Sequence, residues 1–542
     1  MNEPPLMFSP RRVFVGGFFV VLLLAGIIAH RGYGIGWDEK TQYMIGSQAY
    51  DFLTKGTPWT SFADWKYYGT TFELILTFIE HLFDLTSDAR ATMLMRHFVT
   101  FLSFYGGVVC FYFLCKKLVK DWRWALLGCL LLVLEPRIFA QSFYNSKDIP
   151  PVAMFTVTMY TLLRLTERQT VLRLVIHAFA CAVLVTIRMT GMLLLPFTMV
   201  FLGRALLLDS GMGNWRDALR RFALWAGAFI LFWWGLTVLL WPYLWDHPVL
   251  HFLDAYRDMS TKQFGGVYFG QKISIPVWHW IPVWIAITTP LTYTALFLFG
   301  AGRRLLQIVL HPVRTFLQQE IPLLVLGWFF LPMLIIIIIK AGIISDWRHV
   351  FFLYPAFVLL AVDGAQCLFD FSQRKFRSHI PKILLLGSLA ISCSSTIVWM
   401  IRNHPVQSVY FSLPARLIDG NFELDYWGLS FRPGIEWVLA NDPSPYLLVY
   451  FTGSSGYGVQ NLLTTEQRAR YMAVDQPEYA EYILDNFYGH DYKRDRFLES
   501  WKVHSIYAGS IEVLAIYKNP YYNPEIIKYL PRWPDHGFLF FF

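Results

Sequence analysis

Charge is scarce in this chain. Only 15% of its 542 residues are Asp, Glu, Lys or Arg, against roughly 25% in a soluble domain. So little charge cannot cover the surface of an ordinary water-soluble protein of this length. Cysteine is scarce as well. Cys110, Cys115, Cys129, Cys181, Cys367 and Cys393 all lie in or beside apolar segments, and none lies in the polar tail. No CxxC pair occurs, which removes a zinc or disulfide framework. There is no HExxH and no serine or cysteine nucleophile elbow, which removes the commonest hydrolase signatures. Internal repeats and low-complexity tracts are lacking. The stretch Gly453-Ser454-Ser455-Gly456-Tyr457-Gly458 has no Lys-Ser/Thr ending and reads as a turn, not a nucleotide loop. The net charge of +8 does not indicate nucleic acid as a partner, because cytoplasmic loops that set membrane orientation account for most of it.

Long uncharged runs are what the chain does have. It is 55% hydrophobic and 18% aromatic, with a mean hydropathy of +0.41. This is the composition of a polytopic α-helical membrane protein. About eleven spans are predicted, at 13–29, 92–115, 124–134, 149–163, 174–187, 189–203, 222–245, 281–300, 321–339, 349–368 and 383–401. Arg11 and Arg12 precede the first. Ala29 alone makes a poor cleavage site, so this span is expected to stay. Basic clusters at Lys116–Arg123, Arg204–Arg221, Arg303–Arg314 and Arg374–Lys382 fall in one set of loops. The pair Asp38-Glu39 and Asp148, Asp246, Asp254 and Asp346 fall in the other. The positive-inside rule then puts the N-terminus in the cytoplasm and the acidic loops outside, with Arg188, Lys340 and Arg348 as exceptions.

Two domains are expected: a transmembrane domain, 1–402, and a C-terminal extracytoplasmic α/β domain, 403–542. In the second, strands are predicted at 446–451 and 511–517, and helices at 465–471 and 477–487. In the first outer loop, the run 70–83 is apolar but interrupted by Glu73, Glu80 and His81. It reads as an interfacial helix. Trp59, Trp65, Tyr67 and Tyr68 suit the headgroup level.

Gly36-Trp37-Asp38-Glu39-Lys40-Thr41-Gln42-Tyr43 is the stretch with most chemistry in it. Two adjacent carboxylates stand where a span meets water, a place where ionisable groups are usually functional. A carboxylate there can take a proton from an acceptor hydroxyl. Arg and Lys on the same side can hold a departing phosphate. A transporter or binding protein for lipid or glycan is the alternative, but its acids belong near the bilayer midplane. Plainer readings exist for each residue. Asp38 and Glu39 can simply end a span, Asp148 can cap the helix that follows it, and Arg348 and His349 can anchor a helix at the interface.

The order and sidedness of these residues resemble the membrane-embedded GT-C glycosyltransferases, in particular the family 39 and aminoarabinose-transferase-like branch. There an Asp-Glu pair in the first outer loop is followed by a Tyr, as in Asp38, Glu39 and Tyr43. A second acid precedes the fourth span, as Asp148 does in Asn145-Ser146-Lys147-Asp148-Ile149-Pro150. The similarity covers roughly 13–401. It implies a GT-C-like fold and an inverting sugar transfer from a polyprenyl-phosphate donor to an extracytoplasmic lipid, glycan or protein acceptor. It implies Asp38 as general base, with Glu39 and Asp148 beside it, no metal and no cofactor. Arg348, His349, Arg137, Lys147 and Lys262 are expected at the donor phosphate, and Tyr43, Tyr67 and Tyr68 in the substrate pocket. The expected location is the bacterial cytoplasmic (inner) membrane, among membrane lipids.

Overall fold

The computed structural model describes residues 10–59, 65–211, 214–261, 265–375, 378–488 and 497–525. Lys262 lies outside the described residues. In chain order the first helices are α1 (Pro10–Ala29), α2 (Glu39–Lys55), α3 (Thr71–Leu82), α4 (Ala89–Val119), α5 (Trp122–Val133), α6 (Pro136–Tyr144), α7 (Ile149–Glu167) and α8 (Val171–Val185). Then come α9 (Leu194–Asp209), α10 (Trp215–Leu240), α11 (Pro248–Thr261), α12 (Trp280–Thr288), α13 (Leu291–Leu310), α14 (Pro312–Gln318), α15 (Glu320–Ile339), α16 (Tyr354–Lys375) and α17 (Ile380–Arg402).

Among the described residues, eight helices are long and apolar enough to cross a membrane. They are α1, α4, Met189–Asp209, α10, α13, α15, Arg348–Lys375 and α17. The pair α5 and α6, bent by 67°, makes a ninth if it is one span. The expected spans at 149–163 and 174–187 fall on α7 and α8, which are not in this set, so the count of eleven is not reached. At 15 residues, α8 is shorter than a straight crossing requires. Most of α7 is buried by other helices, against α4 and α8, so it carries Thr156 and Thr158 in place of lipid-facing apolar residues. Helices α13 and α16 meet through glycines. A Cβ on Gly300 would come within 2.0 Å of the Leu360 carbonyl oxygen, and one on Gly364 within 2.6 Å of that of Leu296. Small residues let membrane helices approach this closely.

The long helices separate two kinds of charge. Arg96 and Lys117 sit on the same 31-residue helix α4, about 30 Å apart at 1.5 Å per residue, which is the thickness of the hydrocarbon layer. At the Arg96 end lie Asp38, Glu39, Asp148 and Arg348. At the far end, Lys117 pairs with Glu167, and Arg303 and Arg304 pair with Asp363. The basic loops and the acidic loops therefore occupy opposite ends of one bundle.

Helix α3 occupies the place expected for an interfacial helix. Its Glu73, Thr77 and Glu80 are buried against protein, while Ile75, Phe78 and Leu82 are exposed. The charges that seemed to interrupt the apolar run are on its inner face. The outer face is the apolar one, as suits a helix lying against lipid.

The C-terminal segment holds a five-stranded sheet in the order β4-β3-β5-β7-β6. Its strands are β3 (Leu447–Phe451), β4 (Tyr471–Val474), β5 (Tyr482–Asp485), β6 (Lys502–Ala508) and β7 (Ile511–Lys518), numbered after the hairpin β1 (Gly266–Tyr268) and β2 (Gln271–Ile273). β3 runs parallel to β4 and β5, and β7 antiparallel to β5 and β6. Side chains alternate between its faces, as a strand period of two requires. Leu447, Val449, Leu484, Leu514 and Ile516 enter one core with the helix Phe431–Asn441, while Leu448, Ile483, Ala515 and Tyr517 enter another. The tail holds more strand than expected. The segment 477–487, expected to be helical, is a short 3-10 turn followed by β5. Its apolar residues Tyr482, Ile483 and Leu484 have no long helical face, and pairing on both sides settles them as a strand. The hairpin strand β6 was missed because Lys502, His504 and Ser505 leave its first half with Val503 as the one apolar residue.

The tail is seated on the acidic end of the bundle. Val406, Val409, Phe411, Phe422, Tyr426, Trp427 and Leu429 belong to the bundle's own core, so the separate α/β core starts near Phe431. Arg432 Nη1 donates to the carbonyl oxygens of Arg31 (2.7 Å) and Tyr33 (2.6 Å), and the Tyr33 hydroxyl donates to Gln407 (3.0 Å).

Candidate functional site

Asp38 and Asp148 both stand at helix N-cap positions, of α2 and α7, and neither side chain makes a cap hydrogen bond. For Asp148 the reason is in the sequence. A cap serves the N–H groups two and three residues into the helix. Here these belong to Pro150 and Pro151, which have none. For Asp38 the reason is the backbone. Its φ of −83° and ψ of −13° are helical, not the extended geometry of a capping residue. Both carboxylates are thereby free to turn elsewhere.

They turn onto one guanidinium. Arg348 Nη1 donates to Asp38 Oδ2 at 3.0 Å and to Asp148 Oδ2 at 3.1 Å. Its Nη2 donates to the Tyr426 hydroxyl at 2.8 Å. The guanidinium lies over the rings of Tyr426 (4.5 Å) and Trp427 (4.8 Å). Its side chain is 1% exposed, while that of Asp38 is 18% exposed. Arg348 and Asp148 form the floor of the site, and Asp38 is the member that solvent reaches. Arg188 bonds the other oxygen of Asp148, and Asn145 Nδ2 donates to Asp148 at 3.0 Å. Lys147 lies with its ammonium 4.7 Å from the Tyr68 ring centre.

Two carboxylates thus face three cations, Arg348, Arg188 and Lys147, leaving one positive charge over. Asp346 does not change the balance, because Arg137 matches it at 3.1 Å. Burial alone would raise the Asp38 carboxyl. Lys147 and Arg348 outweigh burial and hold it below the usual aspartate range. Burial lowers Lys147, against an upward pull from Asp38. An excess positive charge in a half-closed site suits an anion, and an ionised carboxylate at its mouth suits proton acceptance.

A second polar layer backs the first. Glu39 accepts the Gly36 N–H at 2.6 Å on one oxygen and meets His97 Nε2 at 2.8 Å on the other. This ties down the turn that carries Asp38. Glu73 accepts from Arg96 and from Ser146, linking α3, α4 and the loop before α7. Burial raises Glu73, against the pull of Arg96. The Tyr43 hydroxyl donates to Glu80 at 3.1 Å, with Arg96 over its ring at 5.2 Å.

The expected site residues separate accordingly. Asp38, Asp148, Arg348 and Lys147 come together, with Tyr68 under Lys147. His349 lies within the field of Arg188, Arg348 and Lys147. Glu39 and Tyr43 sit in the backing layer. Arg137 reaches the site only through Asp346, whose other oxygen accepts the Arg348 N–H at 2.6 Å. Arg137 itself binds the Tyr410 carbonyl at 3.0 Å and lies over Phe411 at 4.5 Å. Tyr67 packs edge-on against Tyr243. Arg188 was missed as a site residue, although an arginine between two apolar runs is a sufficient signal. Tyr426 and Trp427 could not have been assigned, because nothing local tells which part of the chain a distant loop will cover. Among the described residues, no group of three or more His, Cys, Asp or Glu is placed to hold a metal ion.

No family model matches the chain, and no curated protein matches it. Among solved structures the chain is similar to ArnT from Cupriavidus metallidurans, a crystal structure bound to undecaprenyl phosphate. The two are 11% identical over 95% of this chain and 99% of that one, with a TM-score of 0.49. It is also similar to the arabinosyltransferase EmbB from Mycobacterium smegmatis, at 14% identity and a TM-score of 0.39, over 74% of this chain and 39% of EmbB. Scores this low establish neither a shared fold nor a shared activity.

Proposed function

We propose that this chain is a membrane glycosyltransferase of the GT-C kind, moving a sugar from a polyprenyl phosphate to an extracytoplasmic acceptor. The observation that carries this reading is the convergence of two non-capping aspartates on buried Arg348, with Arg188 and Lys147 alongside. The position of that cluster at the less basic end of the bundle supports placing it outside the membrane. The same reasoning puts the tail outside, the N-terminus in the cytoplasm, and the protein in a bacterial cytoplasmic membrane.

In this reading the acceptor oxygen forms its bond to the anomeric carbon as the bond from that carbon to the phosphate oxygen breaks. The polyprenyl phosphate leaves with the electron pair. Its charge grows beside Arg348, Arg188 and Lys147, with His349 close by, and the excess positive charge stabilises it. The acceptor proton passes to Asp38. Held low by its cations, Asp38 is a weak base, so it takes the proton late, once bond formation has made the hydroxyl acidic. One displacement inverts the anomeric centre. Glu39 and His97 hold the Asp38 turn.

Purified protein in lipid nanodiscs, given radiolabelled polyprenyl-phosphate sugars and a crude envelope acceptor fraction, tests the proposal. Transfer that is lost in Asp38→Asn is the expected result. Absence of transfer across the common donors and acceptors would count against it. Liposome uptake of a lipid-linked sugar that persists in Asp38→Asn, without cleavage, would replace it with a transporter.

A further inference from the structure

The tip of Arg348 is held by Asp38, Asp148 and Tyr426. Its backbone is held by another acid. Asp346 Oδ1 accepts the Arg348 N–H at 2.6 Å, in a turn that leads into the 3-10 helix Arg348–Leu353. Asn and Asp both close such a turn, by bonding the backbone two residues on. What Asp adds is a second oxygen and a negative charge, on a side chain only 6% exposed. An arginine side chain is shorter than the roughly 10 Å over which charges act in dilute salt. The Asp346 charge is therefore felt by the Arg348 guanidinium, and by any anion that the guanidinium binds.

Arg137 meets that charge. Its Nη1 donates to Asp346 Oδ2 at 3.1 Å, and its side chain is buried. The rest of the guanidinium is fixed from other sides. Its Nε donates to the Tyr410 carbonyl oxygen at 3.0 Å, and the group lies over Phe411 at 4.5 Å and Trp284 at 5.4 Å. Glu135, two residues earlier, is turned to the start of α6, where it accepts the Ile138 N–H. The turn itself is braced by α12. The Asp346 carbonyl oxygen accepts from Trp280 Nε1 at 3.1 Å, and Trp347 Nε1 donates to Thr288 at 2.9 Å. Helix α6, helix α12 and the segment entering the tail thus fix one ion pair at the root of Arg348.

We propose that Arg137 is a positioning residue for the donor phosphate: it neutralises Asp346, and so leaves the charge of Arg348 to the lipid. The proposal rests on the transfer reaction above and assigns a further residue to its donor site. The charge count shows what is at stake. With the pair intact, the site has one positive charge over. Without the Arg137 charge, Asp346 becomes a third carboxylate against three cations, and nothing is left over. Without the Asp346 charge, Arg137 raises the excess to two. Neutralising both restores the excess of one. A residue that only braced the fold would behave differently. The bond to Tyr410 and the contact with Phe411 are lost with Arg137 whatever stands at position 346.

The test uses the full chain in nanodiscs and bare polyprenyl phosphate, measured by displacement of a fluorescent analogue, with thermal unfolding of each variant alongside. Arg137→Gln should weaken binding about tenfold, and Asp346→Asn should tighten it about threefold. The double variant, Arg137→Gln with Asp346→Asn, should return to within about threefold of wild type, as should Arg137→Lys, which keeps the charge and loses the fork. If Arg137→Gln does not fold, Asp346→Asn and the double variant carry the test, because neither buries an unmatched carboxylate. Wild-type affinity in Arg137→Gln would overturn the proposal. So would a double variant about tenfold weaker than wild type, or weaker binding in Asp346→Asn. Each would make the pair a brace of the fold while the phosphate site stands. If wild type binds no polyprenyl phosphate, the transfer reading itself fails.

Discussion

Replacing Asp38 by Asn should move two measurable quantities in opposite directions. The amide is the same size as the carboxylate and its oxygen can still accept from Arg348 Nη1, now 3.0 Å away. The fold and the Arg348 position should therefore survive. The charge balance changes, since removing one of two carboxylates leaves two positive charges over where there was one. A lipid phosphate held across the Arg348 guanidinium would lie about two hydrogen-bond lengths, ~6 Å, from Asp38. At an effective dielectric of about 20, the repulsion between the two anions is about 3 kcal/mol. Solvent contact at Asp38 and salt reduce this to about 1 kcal/mol, which is about fivefold in affinity. Displacement of a fluorescent polyprenyl phosphate should show this tightening. Single-turnover transfer at saturating donor should meanwhile fall by about 10²-fold or more, because the general base is gone. A carboxylate that merely ended a span would do neither. Transfer within about threefold of wild type, or weaker lipid-phosphate binding, would refute the assignment. Arg348→Ala should give the opposite binding sign, weakening the lipid phosphate by about tenfold or more.

Three further outcomes are expected. Arg96→Ala leaves buried Glu73 with Ser146 alone and should destabilise α2 and α3 by about 3–5 kcal/mol; hydrogen exchange there should rise, Glu73→Gln in the same chain should restore most of the loss, and unchanged exchange in Arg96→Ala would remove the backing role. Asp38 has a depressed folded pKa, so its contribution to stability is present above the unfolded value and is lost as pH falls through the folded one. The acid limb of transfer should therefore lie below the ordinary aspartate value of about 3.9, and a limb above about pH 5 would contradict the pairing with Lys147 and Arg348. In a cysteine-free background, single cysteines at exposed Leu498 and Tyr507 should be labelled by an impermeant reagent in intact cells, whereas those at Lys120 and Arg374 should not; the reverse pattern would overturn the orientation.

Much of the bundle was legible in the chain because lipid imposes a one-dimensional rule. A helix that faces hydrocarbon must be apolar along its length, and α1, α4, α10, α15 and α17 announce themselves by that alone. Where the rule lapses, so did the reading. Helix α7 is wrapped by protein and α8 is short, so neither carries a full lipid signature, and eight or nine helices among the described residues are long and apolar enough to cross, against about eleven expected. In the tail, the short apolar runs of β3 and β7 marked them as strands, whereas the few apolar residues of β5 read as part of a helix. Pairing with β3 and β7 made them a strand.

The same division runs through the site. The order of residues put Asp38, Asp148 and Arg348 at the same end of the spans, because a carboxylate or guanidinium is affordable only where water or a partner is near. Even the release of Asp148 from capping was written locally, in Pro150 and Pro151. What the order of residues could not contain is distance. The contact of Arg348 with Asp38 crosses 310 positions and that with Asp148 crosses 200. Tyr426 and Trp427 reach Arg348 only because the tail packs onto the acidic end of the bundle. Local sequence determined which ionisable groups stand at the membrane's edge. Tertiary packing decided which of them share a proton or a charge, since Coulomb and hydrogen-bond energies depend on separations of a few ångströms.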